Sequence, residues 1–342
     1  MQLEQKQRPN IQKKLNELEF FSKAGNGQRL HYEFLKNFNS EETRKAYYGD
    51  LKHFFDFYKQ AFHITMRHPS EVSRAHIIAY KDFLIECGGK DATKASNLTV
   101  RRKLATLSSY FKFMQEKLVI DSNPVDGVKR PKKSPTKGTE SLSQEQVKLF
   151  LEFMDLESFS HNDNFTVQMH RALIYTLFYS GMRVTEIISL KYQDISKYNG
   201  MMIFRVKVKG GSYRMVPVHP TLIDCLKEYL PFLRKTYRRL GQTLSPQSFL
   251  FISLNNRKNP DLKHITRHGV YKILNKRAFQ AGIRQDISPH SARATLITAL
   301  LTQGEDLERV SHSVGHANIE TTKIYDKRIR SIRDNAILDL NY

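Results

Sequence analysis

A proline- and lysine-rich segment at residues 129–138 divides the chain into two parts. It holds two prolines, five basic residues and no acidic residue. Because proline fixes φ and lacks a backbone N–H donor, this composition predicts an extended linker rather than a helix. A chain of 342 residues is long enough for one domain on each side of it. We therefore predict two domains, joined by a linker whose positive charges suit contact with a phosphate backbone.

The part before the linker shows only helical patterns, in which apolar residues recur three and four positions apart. Ser40 fits the N-cap of its first helix. The clearest helix has one apolar stripe, formed by Val100, Leu104, Leu107, Phe111, Met114 and Leu118. No strand pattern occurs before residue 130, so residues 40–128 predict an all-helical domain. Residues 1–39 are polar and form an N-terminal extension without an assigned role.

The part after the linker, residues 139–326, predicts a mainly helical domain with a small β-sheet. Residues 202–208 alternate between apolar and polar side chains, and residues 213–218 return after two glycines. This pattern predicts a β-hairpin with a basic face, and a further short strand is predicted at 249–253. Helices are predicted from residue 143, over 167–179, and near 220–239, 266–281, 289–303, 306–314 and 318–326.

The chain is strongly basic, with 55 Lys and Arg against 34 Asp and Glu, a formal net charge of +21. A protein this basic most often has a polyanionic partner, and nucleic acid is the first candidate; a ribosome-associated or merely basic protein is the alternative. No apolar run is long enough for a transmembrane helix, and the N-terminus has no signal-peptide pattern, so we expect a cytosolic protein without a membrane partner. The two cysteines, Cys87 and Cys225, exclude a disulfide framework and a CxxC-type zinc cluster.

Six residues of the second domain carry chemistry that helix packing does not require. They are Arg183, Lys209, His290, Arg293, His316 and Tyr325. Singly, each has an ordinary explanation, such as a surface arginine or a half-buried tyrosine. Together they are the inventory for cleaving a phosphodiester without a metal ion: arginines hold the non-bridging oxygens, a phenol attacks phosphorus, and a lysine or histidine transfers protons.

The order and spacing of these residues resemble the tyrosine recombinase/integrase family, most closely its Xer-like bacterial members. Four boxes carry the resemblance: Tyr-Ser-Gly-Met-Arg-Val-Thr-Glu-Ile (179–187), Lys-Gly-Gly-Ser-Tyr-Arg-Met-Val-Pro (209–217), Ser-Pro-His-Ser-Ala-Arg (288–293) and Val-Gly-His-Ala-Asn-Ile-Glu-Thr-Thr-Lys-Ile-Tyr (314–325). The first domain resembles the family's core-binding domain in pattern only, and residues 1–39 are not covered. Ala294 stands where many relatives have His, which we expect to have little effect on the chemistry.

The resemblance implies a role for each residue that binds or attacks the phosphate. Tyr325 would be the nucleophile that forms a 3′-phosphotyrosyl bond. Arg183 and Arg293 would clamp the scissile phosphate, and His316 would hydrogen-bond it. Glu186 matches an acidic accessory position that supports the site, and an ordinary helix-surface glutamate is the equal alternative.

The resemblance also implies the proton-transfer groups and the cofactor requirement. Lys209 would be the general acid for the 5′-hydroxyl leaving group, and His290 would assist proton transfer. Neither a metal ion nor a nucleotide cofactor is required, because the covalent intermediate conserves the phosphodiester energy.

As a whole, the resemblance implies a mainly α fold with a small β-sheet in the second domain. A helical core-binding domain and a mixed α/β catalytic domain would form a clamp around double-stranded DNA at a recombination site. A dimer would occupy each site and a tetramer would form in synapsis, in the bacterial cytoplasm at the nucleoid. An accessory recombinase or a directionality factor is left open. The candidate DNA contacts are Arg101, Arg102, Lys103, Lys129, Arg130, Lys132, Lys133, Arg205, Lys207 and Arg214.

Several alternatives stay open. The tail, residues 327–342, has an apolar helical stripe, and we favour its docking on a neighbouring protomer over packing on its own domain. A type IB topoisomerase would use a similar active site, and a non-catalytic, recombinase-derived DNA-binding protein would keep only the binding. The sequence does not choose between resolution of chromosome or plasmid dimers and integration or excision of a mobile element.

Overall fold

The computed structural model describes residues 27–89, 92–132, 141–208, 211–253, 262–316 and 318–326. The chain divides into two compact units, with the boundary between Pro135 and Thr136. The predicted tail at 327–342 and the candidate residues Lys133 and Lys209 lie outside the described residues.

In the described part of the first unit, all regular secondary structure is helical. Its helices are α1 (Gly27–Lys36), α2 (Glu41–Phe62), α3 (Arg74–Glu86) and α4 (Asn97–Glu116), with a 3₁₀ turn at Pro69–Glu71. Ser40 caps α2 by accepting a hydrogen bond from the backbone N–H of Thr43, as its position before two glutamates predicts. Helix α1 lies within residues 1–39, for which the sequence predicted only an N-terminal extension. Its residues Phe34 and Leu35 are buried in the core of the first unit.

The stripe on α4 forms the centre of this core. Val100, Leu104, Leu107 and Phe111 are fully buried and pack with Phe54 of α2 and Tyr80 of α3. Leu118 differs from its prediction: α4 ends at Glu116, and Leu118 is 92% exposed in a turn with φ of 55°. The helix therefore stops two residues short of the end of the sequence periodicity.

A carboxylate, Asp50, is buried inside this unit. It accepts hydrogen bonds from Thr106 Oγ1 at 3.0 Å and from Arg102 Nη1, and Lys103 Nζ lies 3.5 Å away. Burial and the neighbouring Arg102 lower the pKa of Lys103, against the raising effect of Asp50. Lys103 is a candidate DNA contact from the sequence, but its ammonium faces Asp50, because residue 103 lies three positions after Val100 and four before Leu107.

The second unit contains eight helices and one sheet in its described part. The helices are α5 (Gln144–Ser160), α6 (Phe165–Ser180), α7 (Val184–Ser189), α8 (Pro220–Arg239), α9 (Arg267–Gln280), α10 (Pro289–Thr302), α11 (Leu307–Val314) and α12 (Glu320–Lys323). Helix α6 is buried on nearly all sides, because α5, α8 and α10 pack around it. None of the helices in the described ranges is long and apolar enough to cross a membrane.

The sheet is antiparallel, with strands β1 (Ile195–Tyr198), β2 (Met201–Lys207) and β3 (Tyr213–Pro217) in sequential order. In the β2–β3 hairpin, Val206 pairs with Arg214 and Lys207 with Tyr213. The strand predicted at 249–253 is wrong: only isolated bridges form there, between Lys191 and Phe249 and between Ile252 and His264. The predicted fold class, mainly α with a small sheet in the second domain, is confirmed.

Candidate active site

Arg293 lies in the first turn of α10 with its guanidinium directed into the protein. Ser288 caps this helix and Pro289 occupies its first position, which fixes the start of the helix. Arg293 is 3% exposed, and its Nη1 donates to the carbonyl of Gly181. Its Nη2 is buried and has no hydrogen-bond partner among the described residues. Such a donor is costly unless a ligand pairs with it, so Nη2 marks a place for an anion.

Gly181 positions that carbonyl at the end of α6. It adopts a left-handed conformation, with φ of 61°, which favours glycine. A Cβ at this position would lie 2.9 Å from Leu296 Cδ2 and 3.0 Å from Val314 Cγ1. The turn therefore requires glycine both for its backbone angle and for its close packing.

Arg183 is the N-cap residue of α7, directly after this turn. Its backbone N–H donates to Glu186 Oε2 at 2.8 Å, and its Nη1 donates to Glu186 Oε1 at 3.2 Å. Its Nη2 donates to the carbonyl of Gly315 at 3.0 Å. Arg183 is exposed, so its guanidinium is held in place by two contacts and is still open to a ligand.

Glu186 is shared by a second arginine, Arg214 of β3. Arg214 Nη2 donates to Glu186 Oε2 at 3.0 Å, and its Nη1 donates to the carbonyl of Ser313 at 3.3 Å. The Glu186 side chain is only 10% exposed. It is therefore not an ordinary helix-surface glutamate, and it holds two arginines at once.

Tyr325 and His290 form the second half of the cluster. The phenolic oxygen of Tyr325 lies 2.9 Å from His290 Nε2, and the ring of Tyr325 is buried against Ala294, Ile297 and Val314. Burial, and then the charges of Arg293 and Arg183, lower the pKa of His290. A neutral imidazole beside the phenol can accept its proton.

His316 follows Gly315, whose carbonyl binds Arg183. Its Nδ1 lies 2.8 Å from the hydroxyl of Thr322, which is fully buried. Burial, followed by the charges of Arg293, Arg183 and His290, lowers the pKa of His316 to about 4. His316 is therefore neutral at pH 7, with one ring nitrogen engaged by Thr322.

The cluster is strongly positive. Burial and the nearby Arg183 lower the pKa of Arg293 to about 10, in spite of the opposing effect of Glu186. Arg293 is still charged at pH 7, and in the described part of the cluster the carboxylate of Glu186 pairs with the guanidinium groups of Arg183 and Arg214. An arrangement of this kind favours a bound anion with several oxygens, such as a phosphodiester.

Five of the six predicted catalytic side chains meet in this cluster: Arg183, His290, Arg293, His316 and Tyr325. The sixth, Lys209, lies outside the described residues, between β2 and β3 in the sequence. Sequence reasoning missed the inward position of Arg214 and the support that Thr322 gives to His316. The inward position of Arg214 could have been predicted from the hairpin pattern. Arg214 pairs with the apolar Val206, and paired residues lie on the same face of a sheet.

The candidate DNA contacts of the first unit are placed differently from one another. Arg101 Nη1 donates to the carbonyl of Pro131 at 2.9 Å, so it holds the start of the linker. Arg102 and Lys103 face Asp50. The linker residues Lys129, Arg130 and Lys132 are exposed.

The candidate DNA contacts on the sheet also differ in their exposure to solvent. Arg205 and Lys207 are exposed on β2, and the Arg205 guanidinium lies 5.2 Å from the centre of the Tyr213 ring. Arg214, by contrast, turns inward to Glu186. Within the described residues, no group of three or more His, Cys, Asp or Glu side chains is placed to hold a metal ion.

Comparison with known proteins gives consistent matches. The phage integrase family matches residues 140–329. The tyrosine recombinase XerC of Halalkalibacterium halodurans is 32% identical over 86% of this chain and 89% of its own length. The tyrosine recombinase XerD of Listeria monocytogenes is 28% identical over 86% of this chain and 91% of its own length. The crystal structure of the site-specific recombinase XerH, bound to a palindromic difH substrate after cleavage, shares the fold with a TM-score of 0.64 and 23% identity, over 83% of this chain and 77% of that one.

Proposed function

This chain belongs to the phage integrase family of tyrosine recombinases, and we propose that it cleaves and rejoins duplex DNA through a covalent bond to Tyr325. It is an enzyme of site-specific DNA recombination. The observation that carries the assignment of the site is the contact of 2.9 Å between the Tyr325 phenol and His290 Nε2. This pair adjoins a buried arginine whose Nη2 has no partner among the described residues.

The cleavage step begins with binding of the scissile phosphate. Arg293 Nη2 and the exposed guanidinium of Arg183 donate to its non-bridging oxygens, and His316 donates through the ring nitrogen that does not face Thr322. These donors stabilise the negative charge that grows on the pentacovalent phosphorus. Because Arg183 is already held by Glu186 and Gly315, little reorganisation is needed when the phosphate binds.

The phenolic oxygen of Tyr325 then attacks phosphorus. His290 takes the phenol proton, the bond between phosphorus and the 5′ oxygen breaks, and the leaving 5′ oxygen receives a proton. Lys209 is the proposed donor of that proton, as its place in the hairpin box implies. The product is a 3′-phosphotyrosyl bond and a free 5′-hydroxyl. A 5′-hydroxyl from a second strand reverses the step, and the number of phosphate ester bonds is conserved throughout, so no external energy source is needed.

The wider assembly follows from the same proposal. The two units would close around duplex DNA, with a dimer on each site and a tetramer in synapsis, and the tail at 327–342 would dock on a neighbouring protomer. The exposed basic residues Lys129, Arg130, Lys132, Arg205 and Lys207 would contact the phosphate backbone. We place this activity in the bacterial cytoplasm, at the nucleoid. The proposal covers both the resolution of chromosome or plasmid dimers and the integration or excision of a mobile element.

A topoisomerase could use the same catalytic side chains. The relatives that match over 86% of the chain are, however, named recombinases, and no observation favours DNA relaxation.

Covalent trapping tests the proposal directly. Full-length protein is incubated with nicked duplex fragments from the DNA that flanks its gene, in EDTA and without ATP, and adducts are resolved on SDS gels. We expect an adduct with the wild type and none with Tyr325→Phe, although both bind DNA. Tyr271→Phe is the matched control, because Tyr271 also hydrogen-bonds a side chain, Asp286, but lies outside the cluster. An adduct with Tyr325→Phe would refute the assignment of the nucleophile.

A further inference from the structure

Arg214 links three segments of the second unit. It stands on β3, whereas its guanidinium reaches Glu186 of α7 at 3.0 Å and the carbonyl of Ser313 at the end of α11 at 3.3 Å. Ser313 is followed by Val314, Gly315 and His316. The Arg214 side chain therefore joins the β2–β3 hairpin to α7, which Arg183 caps, and to the turn that precedes His316.

The packing around Arg214 is close. Its side chain is 19% exposed, and its Nε is buried without a hydrogen-bond partner among the described residues. Gly315 has a φ of 70°, and a Cβ there would lie 3.0 Å from Arg214 Nε. The turn before His316 can take this position only because residue 315 lacks a side chain, and the guanidinium fills the space beside it.

Glu186 divides its two oxygens between two arginines. Oε1 accepts from Arg183, whereas Oε2 accepts from Arg214 and from the backbone N–H of Arg183. Without Arg214, the carboxylate would keep only its contacts to Arg183, and its side chain would be free to turn towards that guanidinium. The direction of Arg183 thus depends on a residue that does not touch it.

We propose that Arg214 is a positioning residue of the recombinase: it fixes Glu186 against Arg183, holds the turn before His316, and ties both to the hairpin that carries Lys209. The inference rests on the proposed function, because positioning matters only if Arg183 and His316 bind the scissile phosphate. It replaces the expectation that Arg214 contacts DNA. Its guanidinium already has two protein partners, so a phosphate contact is not its main role.

The two roles predict different measurements. A DNA-contact arginine contributes to affinity, and its loss reduces the dependence of binding on salt by about one charge. A positioning arginine leaves affinity and salt dependence unchanged, and its loss slows the chemical step even when all DNA is bound. Displacement of a catalytic group by about 1 Å can cost on the order of 100-fold in rate.

The experiment compares Arg214→Met with Arg284→Met. Both substitutions remove one guanidinium from the second unit, but Arg284 is exposed and lies over the Phe279 ring rather than beside Glu186. Full-length proteins are assayed for DNA binding between low and moderate salt. Covalent cleavage of a nicked duplex is then measured in a single turnover at saturating protein, and thermal unfolding controls for folding.

We expect Arg214→Met to cleave roughly 10- to 100-fold more slowly with unchanged affinity, and Arg284→Met to match the wild type in both affinity and cleavage rate. In a Glu186→Gln background, Arg214→Met should cause a smaller loss than in the wild type, because the ion pair with Glu186 is already weakened and the contact with Ser313 is the main one left to break. A purely structural defect would not show this coupling.

Three results would overturn the inference. They are wild-type cleavage by Arg214→Met at saturation, a loss confined to affinity and salt dependence, or full additivity with Glu186→Gln. If Arg214→Met does not fold, Arg214→Lys decides instead. Its single nitrogen does not reproduce the fork in which Nη2 donates to Glu186 and Nη1 to Ser313, so we expect an intermediate rate, and the wild-type rate would refute the proposal. Failure of the wild type to form an adduct would refute the proposed function rather than this inference.

Discussion

The phenolic oxygen of Tyr325 lies 2.9 Å from Nε2 of His290, although the two residues stand 35 positions apart in the chain. The contact joins α10 to the turn that follows α12. Because Arg293 lies on the same helix as His290, one helix carries both the proposed proton acceptor and a proposed phosphate-binding donor. The proposed nucleophile therefore contacts its proposed proton acceptor in the protein without DNA.

The pH dependence of cleavage should report His290. Burial and two arginines lower its pKa below the usual 6.5, so the imidazole is neutral at pH 7 and accepts the phenol proton. As pH falls through this lowered pKa, the acceptor is protonated and cleavage slows. Measured at subsaturating DNA, where the rate reports the free enzyme, the wild type should show this acidic limb.

His290→Gln is the control for that assignment. Glutamine does not titrate, so we expect cleavage to be slower by roughly 100-fold or more and the acidic limb to disappear. His316, whose pKa is about 4, would titrate at lower pH in both proteins. An unchanged acidic limb in His290→Gln would mean that another group controls it.

Replacement of Arg293 by lysine should abolish anion binding by the free protein. Lysine lacks the rigid fork in which Nη1 donates to the Gly181 carbonyl while Nη2 points at a phosphate, because all its donors lie on one nitrogen. We expect inorganic phosphate to raise the melting temperature of the wild type but not of Arg293→Lys, and cleavage to fall by roughly 100-fold or more. Arg284→Lys, which alters an arginine that lies over the Phe279 ring, should behave as the wild type. Equal stabilisation of Arg293→Lys by phosphate would contradict the assigned anion site.

Substitution of Asp50 tests the buried charges of the first unit. Asp50→Asn leaves Lys103 buried and Arg102 without their carboxylate, and breaking such a cluster costs about 3 kcal/mol or more. Asp56→Asn removes a carboxylate that lies 2.6 Å from Lys52 on the surface of the same helix, where the effect should stay below about 1 kcal/mol. Urea unfolding followed by circular dichroism measures both. Equal stabilities of the two variants would show that the Asp50 cluster is unimportant.

The cluster around Asp50 shows how much of the helix packing the sequence pattern could predict. Residue 103 lies on the apolar stripe of α4, and residue 50 lies four positions before Phe54 on the stripe of α2. The positive charge of Lys103 suggested a DNA contact. Two opposite charges on two apolar stripes are compatible with a buried ion pair, but only the packing of α2 against α4 brings them together.

Other features were predictable because chemistry, rather than packing, determines them. The spacing of the four boxes identified Arg183, His290, Arg293, His316 and Tyr325, and the structure places them in one cluster. The partners that orient them depend on tertiary packing. Neither the contact of Thr322 with His316 nor that of Gly315 with Arg183 follows from periodicity.

The apolar run at 249–253 illustrates a different limit. Leu250, Phe251 and Ile252 are fully buried, as in a central strand, yet they form only isolated bridges with their neighbours. A short apolar run specifies burial but not its hydrogen-bonding partner.

Acid should destabilise the second unit through His170. Arg277, a buried residue of α9, donates from Nε to His170 Nδ1 at 3.3 Å and from Nη1 to Glu157 at 2.8 Å. Burial, followed by the charges of Arg277 and Lys276, lowers the pKa of His170 to about 4. Since the unfolded chain binds a proton near pH 6.5, stability is unaffected above that pH and falls as pH decreases towards 4.

The loss from His170 should amount to about 2 kcal/mol between pH 7 and pH 5. His170→Gln keeps an acceptor for Arg277 but cannot titrate, so its urea unfolding should depend less on pH by about this amount. His31 and His316, whose pKa values are also about 4, contribute equally to both proteins and cancel in the comparison. His161→Gln, at an exposed position of the same unit, should retain the full wild-type dependence. If His170→Gln loses as much stability in acid as the wild type, protonation of His170 is not what opens the contact with Arg277.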